Sequence, residues 1–380
     1  MHKKIVYLDN ASTTKIKPEI LSSYNEVLEN YYGNASSIHG LGIKSFNLLS
    51  KAKEQVCRAL KLHEYDVIFT SGATEANNLA LKGYCMKYKN RGKHIIVSRI
   101  EHPSILETAK QLEGLYGFEV TYLSVNNKGE VDLEELKNAI RKDTILVSIM
   151  AVNNEVGSIN KLHQISKIIK KYPKIVLHTD AVQALGKIDF DYNDMDMITI
   201  TGHKIHGPLG VGALIIKKRI TLNAEMCGGG QEDGLRSGTY NLPGIVAFTK
   251  AIRIAQSGIE ERFSIVSKLA LPLFKFVLDN PDDFEFNSVG ETNPYIINFS
   301  LKKKKASVVV EALSNMNIMI SSISACHSKG EKASYVVAEM GKDDWLSHNT
   351  LRVSLCEDNT IEEVLLFIES LKKVLQEIRS

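Results

Sequence analysis

The amino-acid sequence predicts an α/β fold, with a mostly parallel seven-stranded sheet in a large domain and a smaller α+β domain after it. Short β-branched runs alternate with amphipathic stretches from about residue 65 to 216, which is the pattern of a sheet covered by helices on both faces. The length of 380 residues exceeds what one hydrophobic core usually accommodates, so two domains are expected. From about residue 245 the alternation ends and a long helical pattern begins.

The individual elements follow from the period of the apolar residues. The seven strands of the large domain are predicted at 67–70, 94–98, 118–125, 145–151, 175–179, 197–201 and 211–216. Helical patterns lie between them at 75–88, 104–115, 133–140 and 162–172. After about residue 245 the predicted elements are helix 245–278, strand 295–301, helix 307–316, strands 319–325 and 350–355, and helix 361–378. We expect residues 15–250 to form the large domain, and residues 1–14 and 251–380 the small domain.

Composition excludes several classes of protein. The formal net charge of +3 is too small to indicate nucleic-acid binding. The five cysteines are odd in number and include no Cys-x-x-Cys pair, which argues against a disulfide framework and a zinc site and suits a reducing cytosol. The first residues show no signal-peptide pattern, and no apolar run is long enough to span a membrane. We therefore expect a cytoplasmic protein that binds neither membrane nor nucleic acid and has no metal site.

The most informative segment is residues 198–208, which read ITITGHKIHGP. An apolar strand here leads Lys204 into a turn between two histidines. A turn at a strand end can desolvate the amine and lower its pKa, and an amine so activated can bond to an aldehyde. That is the chemistry by which proteins anchor pyridoxal phosphate (PLP). The alternative for a single lysine is an ordinary surface position, but other segments carry the remaining parts of such a site.

Residues 70–77, TSGATEAN, follow a strand and open a helix. Small side chains and the positive end of the helix dipole suit an anion such as a phosphate, with Ala73 and Thr74 nearest the turn. The alternative is a plain helix N-cap without a ligand.

Polar residues also end three further predicted strands. Asp180 can pair with a protonated pyridine nitrogen and keep the ring a good electron sink. Gln183 and Asn154 can reach the ring's phenolic oxygen, and His102 can lie on the ring and move protons. Each residue alone has an ordinary structural explanation, but their occurrence at several strand ends together with Lys204 favours one shared site.

Cys326 lies in the polar stretch 321–334, whose lysines and His327 favour the reactive thiolate over the thiol. An inert cysteine is the alternative. Arg352 lies in an apolar strand and needs a partner, which is either a substrate carboxylate or a structural carboxylate.

The order of motifs resembles that of cysteine desulfurases, in particular the NifS/IscS-like group within the class V aminotransferase branch of PLP enzymes. The motifs that carry the resemblance are YLDNASTT (7–14), GNASSIH (33–39), SGATEANN (71–78), EH (101–102), VNNEVG (152–157), HTDAVQ (178–183), GHKIHGPLGVGAL (202–214), GGGQEDGLRSGT (228–239) and SACHS (324–328).

The resemblance implies a PLP-dependent transferase fold and a role for each candidate residue. Lys204 would carry PLP and move protons, Asp180 would pair with the pyridine nitrogen, and His102 would stack on the ring. Asn154 and Gln183 would bond the phenolic oxygen. The phosphate would be held near Ala73 by Thr74, Thr201 and His203, and by Thr239 from the second subunit of a homodimer. Asn34 and Arg352 would bind the carboxylate of L-cysteine, and Cys326 would take its sulfur.

The implied reaction converts L-cysteine to L-alanine and leaves a persulfide on Cys326 for an acceptor protein in iron–sulfur cluster assembly or tRNA thiolation. A selenocysteine lyase or cysteine β-lyase that releases free selenide or sulfide is an alternative. A catalytically weak homologue that acts as a binding partner is another. Four residues depart from the family pattern: Ala35, Asn160, Leu209 and Ile323.

Overall fold

The computed structural model describes residues 5–322 and 332–377. Its strands are β1 (Val6–Tyr7), β2 (Tyr65–Thr70), β3 (His94–Ser98), β4 (Glu119–Leu123), β5 (Thr144–Ser148), β6 (Val176–Asp180), β7 (Met197–Thr201), β8 (Gly212–Lys217), β9 (Phe284–Phe286), β10 (Ile296–Leu301), β11 (Ile318–Met319), β12 (Ser321–Ser322) and β13 (Thr350–Ser354).

The α-helices are α1 (Pro18–Asn30), α2 (Gly40–Ala59), α3 (Ala73–Asn78), α4 (Tyr84–Tyr88), α5 (Pro103–Tyr116), α6 (Leu133–Ala139), α7 (Leu162–Ile169), α8 (Leu242–Gln256), α9 (Ile259–Leu278), α10 (Ala306–Asn315), α11 (Tyr335–Glu339), α12 (Asp344–His348) and α13 (Ile361–Glu377). None of the helices in the described ranges combines the length and the apolar character needed to cross a bilayer.

The large sheet has the strand order β2-β8-β7-β6-β5-β3-β4. Strands β3 to β7 pair in parallel, while β8 runs antiparallel to both of its neighbours, β7 and β2. Side chains on the two faces of the sheet pack into two separate apolar clusters. On β7, Ile198 and Ile200 belong to one cluster and Met197 belongs to the other. Burial on both faces is what the continuous β-branched runs predict, and the mostly parallel seven-stranded sheet is confirmed.

The second sheet is antiparallel and has the order β12-β13-β10-β9. Beside it, β1 from the start of the chain pairs in parallel with β11. Val6 and Leu8 are buried in the same apolar cluster as residues of α9, β10 and α13. This third cluster is separate from those of the large sheet. The exact domain boundaries near residues 14 and 250 stay a prediction.

Several elements differ from the sequence-based expectation. The single helix expected over 245–278 is two helices, because Gly258 adopts a left-handed backbone with φ +69° between α8 and α9. The helix expected over 75–88 contains a π-helical turn at Leu79–Gly83. Of the strand expected over 319–325, the described part forms only the short β11 and β12.

No element is predicted for residues 15–64, where the structure has α1 and α2. Both helices pack on α8 through few buried residues, for example Ile20 in α1. Their other apolar side chains point outward, including Leu28 at 55% exposure and Phe46 at 54%. A helix is predicted from apolar residues that recur on one face with a period of 3.6 residues. Apolar residues on the outer face weaken that pattern, so α1 and α2 are not predicted from the sequence.

Candidate active site

A cleft of about 1270 Å³ lies at the carboxyl ends of the parallel strands, where ligands of such sheets bind. It brings together residues that follow β2, β3, β5, β6 and β7. The residues predicted from the sequence that line it are Ala73, Thr74, His102, Asn154, Asp180, Gln183, Thr201, His203, Lys204 and Arg352. Residues up to 280 positions apart in the chain thus meet in one concave site.

Close backbone packing builds this edge of the sheet. A Cβ at Gly212 would lie 2.8 Å from the Cα of Gly72 and 2.8 Å from the carbonyl oxygen of Ile200. Only glycine therefore lets β8 pass between β7 and the turn after β2. This packing holds the start of α3 next to the turn that carries Lys204.

Lys204 ends a 3₁₀ turn, Gly202–Lys204, directly after β7. Its Nζ donates hydrogen bonds to the backbone oxygens of Ala11 at 2.6 Å and Ser12 at 2.5 Å. Burial lowers the pKa of this amine to about 8, and the nearby Arg352 adds to the shift. A lysine with this pKa holds a substantial neutral, nucleophilic fraction near neutral pH, which a solvated lysine does not.

Asp180 ends β6 and is 5% exposed. One carboxylate oxygen accepts from the side-chain amide of Asn77 at 2.8 Å, and the other accepts from the backbone N–H of Val182 at 3.0 Å. Two donors fix the carboxylate in place. The site therefore presents an oriented negative charge to the cleft.

His102 caps α5 and precedes Pro103 at the first helical position. The backbone N–H of Ser104 donates to its Nδ1 at 3.2 Å, and the Ser104 hydroxyl lies 2.8 Å from the same atom. An Nδ1 that accepts a hydrogen bond leaves the proton on Nε2. Burial lowers the pKa of His102, so a neutral ring faces the cleft.

Two carboxamides, Asn154 and Gln183, lie on the same side of the cleft. The side-chain oxygen of Asn154 is buried and has no hydrogen-bond partner among the described residues. Gln183 is 3% exposed. Its Nε2 donates to the backbone oxygen of Ala11 at 3.0 Å, and its Oε1 accepts from Lys187 at 2.6 Å. Gln183 is thus an ordered part of the site, whereas its sequence alone also allowed a surface position.

The opposite end of the cleft is suited to an anion. Ala73 and Thr74 form the first turn of α3, and Thr201 and His203 lie on the strand end and turn beside them. The Thr201 hydroxyl donates to the Val211 backbone oxygen at 3.1 Å. Burial, reinforced by Lys204, lowers the pKa of His203 to about 4, so His203 offers a neutral ring at physiological pH.

Arg352 lies on β13 and reaches the cleft from the second sheet. Its guanidinium donates to Asp9 Oδ1 at 2.9 Å, to the Ser12 hydroxyl at 2.6 Å and to the Asn154 backbone oxygen at 2.9 Å. The structural carboxylate considered as an alternative partner is therefore present as Asp9. The Nε atom is buried and has no partner among the described residues. Binding of a substrate carboxylate by Arg352 stays a prediction.

Two described residues of the predicted site, Asn34 and Thr239, do not line the cleft. Asn34 is exposed, and its side-chain oxygen accepts from the backbone N–H of Ser36 at 2.9 Å. Thr239 is exposed and does not line the cleft of its own chain. Cys326 lies outside the described residues, as does Ile323. Of the other departures from the family pattern, Leu209 is 72% exposed at the cleft, while the buried Asn160 bonds two backbone groups.

Several residues of the site are not identified by the sequence. The backbone oxygens of Ala11 and Ser12, the amide of Asn77 and the amine of Lys187 carry no sequence signal of their own. Glu101 is fully buried, and burial raises its pKa to about 8. Its Oε1 accepts from the Ser98 hydroxyl and from the Met150 backbone N–H. The only available signal is the position of each residue within or beside a recognised motif.

Away from the cleft, His206, Cys356 and Asp358 each place a potential metal ligand within 4.8 Å of the others. Lys17 and Arg262 line the adjoining pocket, and their positive charges oppose a bound cation. The Nδ1 atom of His206 also lies 2.9 Å from the Lys15 backbone oxygen. The cluster therefore gives no reason to propose a metal site.

Comparison with known proteins identifies the family. The model of the family described as aminotransferase class V matches residues 6–367. A protein of Lactobacillus delbrueckii subsp. bulgaricus named NifS/IcsS protein homolog is 40% identical, covering 98% of this chain and 97% of the relative. The cysteine desulfurase IscS of Dictyoglomus turgidum is 36% identical, covering 100% and 96%.

A solved structure described as a NifS-like protein superposes with a TM-score of 0.91 at 35% identity, over 99% of this chain and 100% of that one. Sequence and structure therefore agree over essentially the whole chain. The protein belongs to the aminotransferase class V family, in its group of NifS- and IscS-like cysteine desulfurases.

Proposed function

We propose that the protein is a PLP-dependent cysteine desulfurase, a sulfurtransferase that converts L-cysteine to L-alanine and leaves the sulfur on Cys326 as a persulfide. The observation that carries the proposal is the cleft itself. It places a lysine whose pKa is lowered to about 8 beside Asp180, His102 and Asn154, which come from three other strand ends. The names of the full-length relatives support the same reaction.

The residues present fit PLP. Asp180 offers a fixed negative charge for the pyridine nitrogen, and the side-chain amide of Asn154, which lines the cleft, could donate to the phenolic oxygen. Ala73, Thr74, Thr201 and His203 would surround the phosphate with backbone and side-chain donors at the start of α3. When bound, PLP supplies an electron sink for the electrons freed at the substrate's α-carbon.

The remaining steps belong to the side chains of this chain. Lys204 would hold the cofactor and then move a proton at the α-carbon of cysteine, and the neutral His102 would cover the ring. Arg352 would orient the substrate carboxylate with its bidentate fork. The Cys326 thiolate would then attack the substrate sulfur, so that a carbon–sulfur bond breaks, a sulfur–sulfur bond forms and alanine leaves.

We also propose that the active form is a homodimer in which Thr239 reaches the phosphate of the other subunit. Thr239 is exposed on its own chain, as a residue that serves a neighbouring subunit must be. Large apolar side chains at the cleft and in the segment between α1 and α2 are also exposed, among them Leu209 at 72%, Tyr32 at 75% and Ile38 at 95%. Apolar exposure of this extent marks interaction surfaces. By the same reasoning, the exposed Asn34 would act across the interface.

A cytoplasmic location is proposed from the cysteines. Cys57, Cys85, Cys227 and Cys356 are free thiols, as a reducing compartment requires. The acceptor would be a protein of iron–sulfur cluster assembly or tRNA thiolation, a choice that rests on the family resemblance.

The proposal is tested by mass spectrometry of the PLP-loaded protein after exposure to L-cysteine without added thiol. We expect one additional sulfur atom on the peptide that contains Cys326 and one equivalent of alanine in solution. The peptides of exposed Cys227 and buried Cys85 are internal controls for non-specific sulfuration.

Other results would point to the alternatives. Alanine together with free sulfide, and no sulfur on Cys326, would identify a β-lyase. Selective turnover of selenocysteine would identify a selenocysteine lyase. A protein that binds PLP but releases no alanine even with dithiothreitol would be a catalytically weak homologue.

The pH dependence of cofactor attachment follows from the lowered pKa of Lys204. Only the neutral amine has a lone pair, so the rate of covalent attachment should rise with pH and level off near pH 8, because most of the amine is neutral above its pKa of about 8. A lysine at its ordinary pKa of 10.5 would give a rate that keeps rising to that value. Stopped-flow absorbance after mixing PLP with cofactor-free protein measures this, and a rise that continues past pH 10 would contradict the prediction.

A further inference from the structure

Lys187 is a buried lysine without a carboxylate partner. It follows β6 and the tight turn at Gly186, whose φ is +70°, and it is 7% exposed. No ion pair joins it to an acidic residue in the described ranges, and its amine donates to Gln183 Oε1 at 2.6 Å. A buried amine that makes no direct ion pair costs stability, so a purely structural position would be served better by an apolar residue.

The contact with Lys187 determines which way the Gln183 amide faces. A lysine ammonium only donates hydrogen bonds, and a backbone carbonyl oxygen only accepts them. In its protonated form Lys187 therefore requires the Gln183 oxygen on its side, while the carbonyl oxygen of Ala11, 3.0 Å from Nε2, requires the nitrogen on the other. Both partners select the same one of the two amide orientations. The second N–H of Nε2 then stays available as a donor.

We propose that Lys187 is a positioning residue that fixes the Gln183 carboxamide with its second N–H available to the phenolic oxygen of bound PLP and its oxygen held away. This inference rests on the proposed function, because it requires PLP in the cleft that Gln183 lines. Without Lys187, only the Ala11 carbonyl oxygen would hold the carboxamide, and an amide turned the other way would direct its oxygen towards the negatively polarised phenolic oxygen and repel it.

The charge of Lys187 does not by itself explain its contact with Gln183. Burial lowers the pKa of Lys187 to about 7, and the neighbouring Lys204 lowers it further. Lys17, in the same pocket, keeps its charge next to Glu357 at 2.8 Å. A test must therefore separate the loss of a nearby charge from the loss of amide orientation.

The experiment is a double-mutant cycle made of the wild type, Lys187→Met, Gln183→Leu and the double variant. PLP affinity of the cofactor-free protein and the pH titration of the bound cofactor's near-visible absorption are measured for each. We expect Lys187→Met to weaken PLP binding about five- to twentyfold, the loss of one hydrogen bond to a charged group, and to raise the pH at which the absorption changes. In the Gln183→Leu background, the same change should alter PLP affinity less than twofold.

A control and a second variant complete the test. Lys17→Met removes a charge from the same pocket without a contact to Gln183, and should leave PLP affinity within about twofold. Gln183→Glu keeps an oxygen opposite Lys187 but removes the N–H donors. It should therefore lose PLP affinity as Gln183→Leu does, and this result does not depend on any Lys187 variant folding.

The outcomes are distinguishable. Equal effects of Lys187→Met in both backgrounds would mean that its charge acts through space, and no effect would mean a structural residue only; either result overturns the proposal. Full PLP affinity in Gln183→Glu would overturn it as well. A wild-type protein that binds no PLP would overturn the proposed function itself, and this inference with it.

Discussion

Replacing Lys204 with alanine should abolish covalent cofactor attachment and lower the rate of alanine formation from cysteine by roughly 10²- to 10⁴-fold, the range for a lost proton-transfer group. The amine is the nucleophile for the cofactor and the base at the substrate α-carbon, and no other amine lines the cleft in the described ranges. Alanine release under saturating cysteine and PLP measures the rate. Borohydride reduction followed by mass spectrometry measures the attachment.

Lys17→Met is the matched control for this prediction. Lys17 lines the neighbouring pocket that also contacts Lys204, but its amine is ion-paired with Glu357 at 2.8 Å. Its loss should leave attachment intact. A Lys204→Ala protein that still forms a borohydride-reducible bond to PLP would place the anchoring lysine elsewhere and remove the basis of the proposed function.

The second large effect is expected for Asp180→Asn, which should lower the rate of alanine formation by about 10³-fold while the protein still binds PLP. Asparagine can accept hydrogen bonds only through its single side-chain oxygen, so part of the anchoring by Asn77 and Val182 is kept. It carries no charge to hold the pyridine nitrogen protonated. The absorption spectrum of bound PLP and steady-state alanine formation measure the two effects separately.

Asp196→Asn is the control for burial and charge. Asp196 is a buried aspartate that precedes β7 at the opposite end of that strand, where it pairs with Lys217 at 2.9 Å. Its replacement should lower the thermal midpoint and leave the cofactor spectrum unchanged. An Asp180→Asn protein with wild-type activity would show that the ring nitrogen has another partner.

Much of the fold follows from patterns that are local in the chain. The strands predicted at 94–98 and 197–201 match β3 and β7 residue for residue, because strands buried on both faces are continuous apolar runs. Polar residues directly after such strands meet at one edge of a parallel sheet. The gathering of His102, Asp180 and Lys204 in one cleft therefore follows from topology alone.

Contacts between segments that are distant in the sequence cannot be predicted from a comparable local pattern. The bond from Lys204 to Ala11 joins residues 193 positions apart, and nothing in either local sequence specifies it. The orientation of Gln183 by Lys187 likewise depends on burial, which the sequence does not reveal. Thr239 and Asn34 are exposed in the single chain, so their roles would arise only when a second subunit packs on the first.

The segment at Ala11 and Ser12 links cofactor loading to the architecture of the chain. As a free amine, Lys204 donates to both backbone oxygens. A lysine nitrogen bonded to a cofactor carbon has at most one N–H left, so both bonds cannot survive loading. The same segment follows β1, which pairs in parallel with β11. The Ser12 hydroxyl also accepts a hydrogen bond from Arg352. Covalent binding of the vitamin-derived group should therefore change the amide-exchange protection of residues 5–12, far in sequence from the lysine that triggers it.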